Sequence, residues 1–426
     1  MSQVKSKDFL NKSWRLIVIG GGAAGFMAAI TAAEAGVQQV LILESTNDPL
    51  NKVRISGGGR CNITHACWNP KDLIRHYPRG NYSLLNPLST FGAGDAIAWF
   101  ADHGLRLIEE IDGRMFPESH SSSSVINTLK RAAEKVGICI QSNKYVEMIS
   151  IKETQEVELC VRDRDKSSSH VLSCNIVVLA TGSHPSGYRI AVNLGHTVIK
   201  PVPSLFTISL REKAFQRLAG VVIDPVILKL NLPSGCFTDK GPILITHYGL
   251  SGPVVLRLTA FAARALKEIN YQTSVEVDWS GGRSSMELYS IIASIREEHA
   301  KRQVLNWRPW PELSRRLWTY LVQNLNLDLD KRWADVSKTE IQLIITILRK
   351  SVYYMEGKGP FGEEFVTSGG VDLDEIHLPT MQSKITSKVY FAGEIMNVDG
   401  ITGGFNFQHC WSSGWIAGKS IAESLL

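Results

Sequence analysis

Three glycines, Gly20, Gly22 and Gly25, stand at the spacing Gly-x-Gly-x-x-Gly. The first permits a tight turn, the second lets backbone approach a pyrophosphate, and the third lets a helix pack close to a strand. A helix opening there presents free N–H groups and the positive end of its dipole to phosphate oxygens. Ala23 and Ala24 complete the turn and are expected beside the same ligand. Glu44 lies 19 positions after Gly25, at the end of the next apolar run. Its carboxylate can accept from both ribose hydroxyls and would repel a 2′-phosphate. Other candidates are less specific. His247-Tyr248 can supply a proton donor or a base, against an equal claim as packed side chains. Cys61 has no Cys-x-x-Cys partner and reads as a packed thiol near the site; His65 and His409 form no close-spaced cluster, so no metal is expected.

The elements around these residues form a βαβ unit. Leu16 to Ile19 is a continuous apolar run inside a strand Trp14–Ile19, the Ala-rich stretch Phe26–Ala35 is helical and stopped by Gly36, and Val40–Leu43 is the second strand. Continuous apolar strands imply a parallel sheet covered on both faces. Residues 45–94 read mostly as a functional loop. A short helix Asp95–His103, a helix Val125–Val136 capped by Ser124, a strand Ile138–Ile140 and a meander of strands at 145–151, 156–162 and 170–179 follow. Val146, within that meander, is expected beside the dinucleotide. Ala180-Thr181-Gly182 ends the last meander strand, and Gly393-Glu394 ends a later buried strand, Lys388–Ala392. Between them, prolines punctuate short β-type runs from about residue 200, and residues 284–348 are helical and rich in Arg and Trp. Gly414–Leu426 reads as a terminal helix.

The segment Lys52–Thr64, with its Ser56-Gly57-Gly58-Gly59-Arg60-Cys61-Asn62 core, together with Thr246–Pro253 and Gly393–Asn406, resembles the signatures of the BaiN-type (YhiN-type) flavoproteins, within the two-dinucleotide-binding-domain superfamily. The resemblance spans essentially the whole chain. It implies an α/β fold: a Rossmann-like FAD-binding domain interrupted by a β-barrel-like insert that carries a small helical subdomain. With the texture breaks it places the FAD domain at 1–199 and 351–426, the β-rich insert at 200–283 and 341–350, and the helical piece at 284–340. It implies that Glu394 takes the ribityl chain of a non-covalent FAD, and that the turn ending Gly403-Gly404-Phe405-Asn406 aims a helix start at the flavin. Gly59, Arg60, Cys61 and Asn62 would line the same cofactor, Arg60 neutralising the pyrophosphate and Asn62 donating to a flavin carbonyl. Family activities range from enone reduction to amine oxidation, so an FAD-dependent oxidoreductase acting on a small organic substrate is expected.

The chain has one such glycine fingerprint, so NADH or NADPH, as a transient donor, is expected to enter the substrate cavity directly, with the insert as its wall or lid. The 46 Lys and Arg exceed the 41 Asp and Glu by five, too few to argue for a polyanion partner. A flavoprotein acting on tRNA and a nucleotide-sensing module without turnover are the alternatives; on the first, the Trp- and Arg-rich helices at 296–333 would stack on nucleic acid instead of filling a core. Seven scattered cysteines argue against a disulfide framework. No apolar run reaches membrane length, and the polar Met1–Arg15 stretch, with Asp8, does not read as a leader. A cytoplasmic protein is expected, of open oligomeric state.

Overall fold

The computed structural model describes residues 12–164, 168–325, 327, 328, 330–359 and 366–426. The expectation about a leader falls largely on residues 1–11, outside that range. The chain divides into two compact units, Met1–Pro201 with Thr367–Leu426, and Val202–Val366.

In the first unit, strand β1 (Trp14–Ile19) leads into helix α1 (Ala23–Glu34) and strand β2 (Val40–Leu43). Strand β3 (Cys139–Gln141) pairs parallel to β2, β4 (Ser169–Leu179) parallel to β1, and β5 (Val389–Phe391) parallel to β4. The parallel strands therefore run β3-β2-β1-β4-β5, part of a nine-stranded sheet. This reversal of direction about β1 is the Rossmann-type arrangement, with its ligand crevice at the carboxyl ends of the strands. Every residue of β2 and all but one of β1 are buried, as the unbroken apolar runs require. The meander expected at 145–179 is present, its first two strands forming an antiparallel ribbon with β4.

The terminal helix α2 spans Phe405–Leu425, nine residues longer at its start than expected from Gly414. Its first turns carry Phe405, Gln408, His409, Trp411 and Ser412, all buried, so the polarity that hid the helix belongs to satisfied interior groups. Gln408 takes a 2.6 Å bond with the Thr64 hydroxyl, and Ser412 donates to Phe91 O at 2.6 Å. Deeper in, a Cβ on Gly414 would lie 2.6 Å from Ala24 O and one on Gly418 2.5 Å from Ala28 O. The glycines let α2 touch the backbone of α1. The expected Ser124 cap moves to Ser121, whose side chain accepts from Ser123 N at the start of the helix Ser122–Lys135.

The second unit is a closed six-stranded barrel built around the long hairpin Val222–Leu232/Gly235–Ile245. The strand Ser351–Lys358 closes it by pairing with Thr273–Asp278 on one side and Ile208–Leu210 on the other. This corrects the expected boundary at 351: the strand alternates buried Ser351, Tyr353 and Met355 with exposed or half-buried neighbours, the pattern of a barrel wall, and the first unit resumes at Thr367. The helical piece is likewise not separate. Leu288, Ile292, Leu317, Leu321, Ile341 and Ile344 join Ile243, Val275 and Val277 in one core. Trp318 and Trp333 are fully buried and their indole N–H groups donate to Val304 O and Trp307 O. These tryptophans are core, not a stacking surface.

Two stability predictions follow from the α1–α2 contact. Gly418→Val should overpack it and lower stability by about 1–3 kcal/mol, seen as a lower thermal midpoint. Within α2, burial pushes the His409 imidazole down to about 4. Its folded pKa lies below its unfolded value of 6.5, so unfolding takes up a proton and stability falls as pH drops from about 6.5 toward 4. Urea unfolding should show a loss of about 2 kcal/mol between pH 7 and pH 5 from this group, and His409→Gln should remove that slope.

Candidate functional site

A cavity of about 450 Å³ opens in the first unit along the carboxyl ends of β1, β2 and β4. The glycine turn forms one wall, and its three glycines have distinct neighbours. A Cβ on Gly20 would stand 2.3 Å from Ala180 O and one on Gly25 2.0 Å from Gly20 O, whereas one on Gly22 would meet nothing within 4 Å. The first and third glycines are thus needed for packing. The second faces open space, as a backbone that receives a ligand must. Gly22 caps α1 without a side-chain hydrogen bond, leaving its first N–H groups available.

Glu44 reaches into the cavity from the end of β2. Its Oε2 accepts from Gly21 N at 2.8 Å, and its Oε1 accepts from Thr46 N and Thr46 Oγ1 at 2.8 Å each. Glu394 enters from beyond β5, where Lys52 Nζ donates to its Oε2 at 2.6 Å and Thr367 N to its Oε1 at 3.2 Å. Thr181 lines the cavity too, and its buried hydroxyl has no hydrogen-bond partner.

Of the residues read from sequence, Gly20, Gly22, Ala23, Ala24, Glu44, Val146, Ala180, Thr181, Gly182 and Glu394 line this cavity together. Gly25, Gly59, Arg60, Cys61, Asn62, Gly393, Gly403, Gly404, Phe405 and Asn406 belong to the same unit but not to its lining. Arg60, expected to neutralise a pyrophosphate, donates to Glu110 Oε1 at 2.7 Å and lies 4.0 Å over the Phe116 ring. Asn406 spends both ends of its amide on Gly400, accepting from its N at 2.8 Å and donating to its O at 2.9 Å. It holds the turn. Cys61 is buried, and burial pushes its thiol up to about 12, which leaves it protonated and inert. His247 and Tyr248 sit on an exposed turn of the barrel, Tyr248 47% exposed, with Thr246 Oγ1 accepting from Gly249 N at 3.2 Å.

Sequence reasoning gave no role to Lys52, although it begins the Lys52–Thr64 segment, and missed Lys144, Tyr145 and the stretch Ser183–Ser186, all lining residues. It also missed a Ser–His–acid relay. Ser383 Oγ and His196 Nε2 are 2.8 Å apart, and His196 Nδ1 is 3.2 Å from Glu375 Oε2. Ser383 is 5% exposed and its Oγ also accepts from Ile385 N and Thr386 N at 3.0 Å. A nucleophile needs an accessible oxygen with a free lone pair; this one is a buried structural tie. No group of three or more possible metal ligands occurs among the described residues, and no described helix is long and apolar enough to cross a membrane.

The fold and the cavity define a Rossmann-type dinucleotide-binding protein. The chain belongs to the HI0933-like family, whose Rossmann domain description matches residues 14–420. It is 27% identical to the 3-dehydro-bile acid delta(4,6)-reductase of Clostridium scindens, over 96% of this chain and 99% of that one. It is 28% identical to the ribosomal RNA dihydrouridine synthase of Escherichia coli, over 95% and 97%. Among solved structures, the 3-ketosteroid-delta4-(5alpha)-dehydrogenase of Rhodococcus jostii RHA1 shares the fold at 14% identity, TM-score 0.53 and 97% coverage of both chains. A flavocytochrome c3 fumarate reductase shares it at 15% identity and TM-score 0.52, over 97% of this chain and 78% of that one. Both of these curated relatives are named as redox enzymes, and the expected class, an oxidoreductase of the BaiN-type flavoprotein family, stands.

The site yields a binding prediction. Glu44→Ala should weaken FAD binding by roughly ten- to a hundredfold, the worth of charged hydrogen bonds to ribose, measured by flavin fluorescence titration. Glu44→Gln keeps an acceptor for Gly21 N and should lose less.

Proposed function

We propose that the protein is an FAD-dependent oxidoreductase that reduces a carbon–carbon double bond conjugated to a carbonyl group. The observation that carries this reading is the cavity: an open backbone at Gly22, an uncapped helix start, and carboxylates at Glu44 and Glu394 spaced along one cleft. The residues fit a dinucleotide that carries hydroxylated chains on both sides of a pyrophosphate. Glu44 would hold the adenosine ribose, the start of α1 the phosphates, and Glu394 the ribityl hydroxyls. FAD so held supplies two-electron hydride chemistry at an isoalloxazine ring. The chain's own contribution is to orient that ring and to deliver or remove a proton at the substrate.

Support for the substrate class comes from the two relatives matched over nearly full length. A steroid dienone and a uracil ring share one electronic feature, a C=C bond polarised by a carbonyl. Hydride adds at the β-carbon and a proton at the α-carbon, whichever scaffold carries the bond. NADH or NADPH would be the reductant, entering the substrate cavity in alternation with the organic acceptor. His247 and Tyr248 remain proposals for the proton donor, and both are exposed to solvent on their turn.

A second reading keeps the chemistry and changes the carrier: uridine within RNA. It rests on the full-length likeness to a ribosomal RNA enzyme. Charge does not decide it, because residues 202–366 hold 21 Lys and Arg against 17 Asp and Glu, a small surplus for a phosphate backbone.

Purified protein should release a yellow cofactor whose fluorescence rises on phosphodiesterase cleavage. Stopped-flow mixing with NADPH or NADH should bleach it. A steroid 4-en-3-one or 4,6-dien-3-one should then restore the colour, with parallel-line initial-rate kinetics. Restoration by a uridine-containing ribosomal RNA fragment alone would favour the second carrier. Bleached enzyme that none of these acceptors reoxidises under anaerobic conditions would sink the proposal.

A further inference from the structure

His65 is unusual among the histidines of the first unit. It ends a two-residue strand, Thr64–His65, that pairs with Arg114–Pro117. Thr64 is fully buried and tied to Gln408 of α2 at 2.6 Å. Alternation along a strand then sends the next side chain to the opposite face. There the imidazole stacks on Phe405, 4.9 Å between centroids at 19°, and Phe405 stacks on His76 at 4.2 Å and 15°. Two glycines make room for the ring. A Cβ on Gly113 would lie 2.5 Å from His65 Cε1, and one on Gly403 3.6 Å from its Cδ2.

The chemistry of this pocket is incomplete as it stands. His65 Nδ1 is buried and has no hydrogen-bond partner, and the same is true of Asn62 Oδ1 three residues earlier. Asn62 Oδ1 lies 2.9 Å from where a Cβ of Gly404 would stand and His65 Cδ2 3.6 Å from one on Gly403, so both residues border the Gly403-Gly404 turn, with His65 Nδ1 on the Gly113 side of its ring. Buried polar atoms without partners are uncommon and call for an occupant. The occupant that fits is planar, to lie beside a ring stack, and carries both donors and acceptors along one edge. The pyrimidine edge of an isoalloxazine has that form.

We propose that His65 is a ligand of the cofactor's redox-active ring and sets its reduction potential. The inference rests on the FAD reading above. Burial lowers the His65 pKa below its ordinary value, so at neutral pH the imidazole is uncharged and offers a neutral hydrogen bond. Below that pKa it is a cation beside a ring that gains electrons on reduction, and the reduced form is favoured. The charged and titratable groups around it are Asp112, Glu109 and Arg114, with His76 beyond Phe405. A hydrogen bond to the Asp112 backbone and the charges of Asp112 and Glu109 raise its pKa and Arg114 lowers it, none as strongly as burial does.

The test compares wild type, His65→Phe and His65→Asn by dye-equilibrated reductive titration between pH 5 and pH 8. His65→Phe keeps the stack on Phe405 and removes the nitrogen. It should bind FAD within about threefold of wild type and shift the oxidised/reduced equilibrium at least tenfold toward the oxidised form, about 30 mV for a two-electron couple. The wild-type potential should climb more steeply toward the acid end of this range than that of either variant. A His65→Phe potential matching wild type across the range would overturn the proposal. If His65→Phe does not load with FAD, His65→Asn decides: an acid-side slope equal to wild type overturns it, a flattened one supports it. Wild-type protein that releases no FAD removes the functional reading itself, a different failure from an unchanged potential in a flavin-loaded variant.

Discussion

Backbone meets backbone on both sides of helix α1, and the site depends on that contact. On the sheet side Gly25 lets the helix lie against Gly20 O; on the other, Gly414 and Gly418 let α2 lie against Ala24 O and Ala28 O. Side chains at these positions would hold the helices apart, since core interiors have no spare volume to absorb them. The close seat fixes where the first turn of α1 points. It also fixes Gly393, whose Cβ would meet Ala24 at 2.7 Å and whose N–H is taken by Ser413 Oγ at 2.9 Å. The helix start at Gly22 and the carboxylate at Glu394 are therefore positioned by the same helix, although 372 residues separate them in sequence.

The parts of this fold that were legible are those governed by backbone rules. The glycine spacing, the apolar strands β1 and β2, and Glu44 at a strand end each announce a conformation that few residue types permit. The start of α2 was not legible, because Gln408, His409 and Ser412 look like surface residues until their partners Thr64, Gly393 and Phe91 are known. The barrel boundary at Ser351–Lys358 was hidden for a related reason. Its alternation is clear, but which sheet accepts a strand is decided by partners more than seventy residues away, in Thr273–Asp278 and Ile208–Leu210.

The candidate site divides along the same line. Positions where main chain must approach a ligand, Gly20 to Ala24 and Ala180 to Gly182, line the cavity. Positions assigned by what a side chain is able to do fared differently. Arg60 is a plausible phosphate cation on chemistry alone, yet Glu110 and the Phe116 ring already occupy it. Lys52 carried no distinguishing signal, yet it is the lysine that reaches Glu394. A charged side chain's role depends on which opposite charge the fold brings within about 4 Å, and one sequence does not encode that pairing locally.

The cleft's carboxylates show why such pairing matters for binding. Each is oriented before any ligand arrives, Glu44 by Gly21 and Thr46, Glu394 by Lys52 and Thr367. A carboxylate has about four acceptor sites. The backbone and Lys52 bonds leave lone pairs on Glu44 Oε2 and on both oxygens of Glu394. Sugar hydroxyls can therefore add to these groups without displacing the donors that aim them. Because the acceptors are already fixed, less side-chain entropy is lost on binding, and more of each hydrogen bond appears as affinity. Lys52 has a further effect: its charge lies beside Glu394, so the cleft offers an acceptor for hydroxyls and a cation for phosphate within one short span. A dinucleotide carries both groups in adjacent positions, which a free sugar or a free phosphate does not.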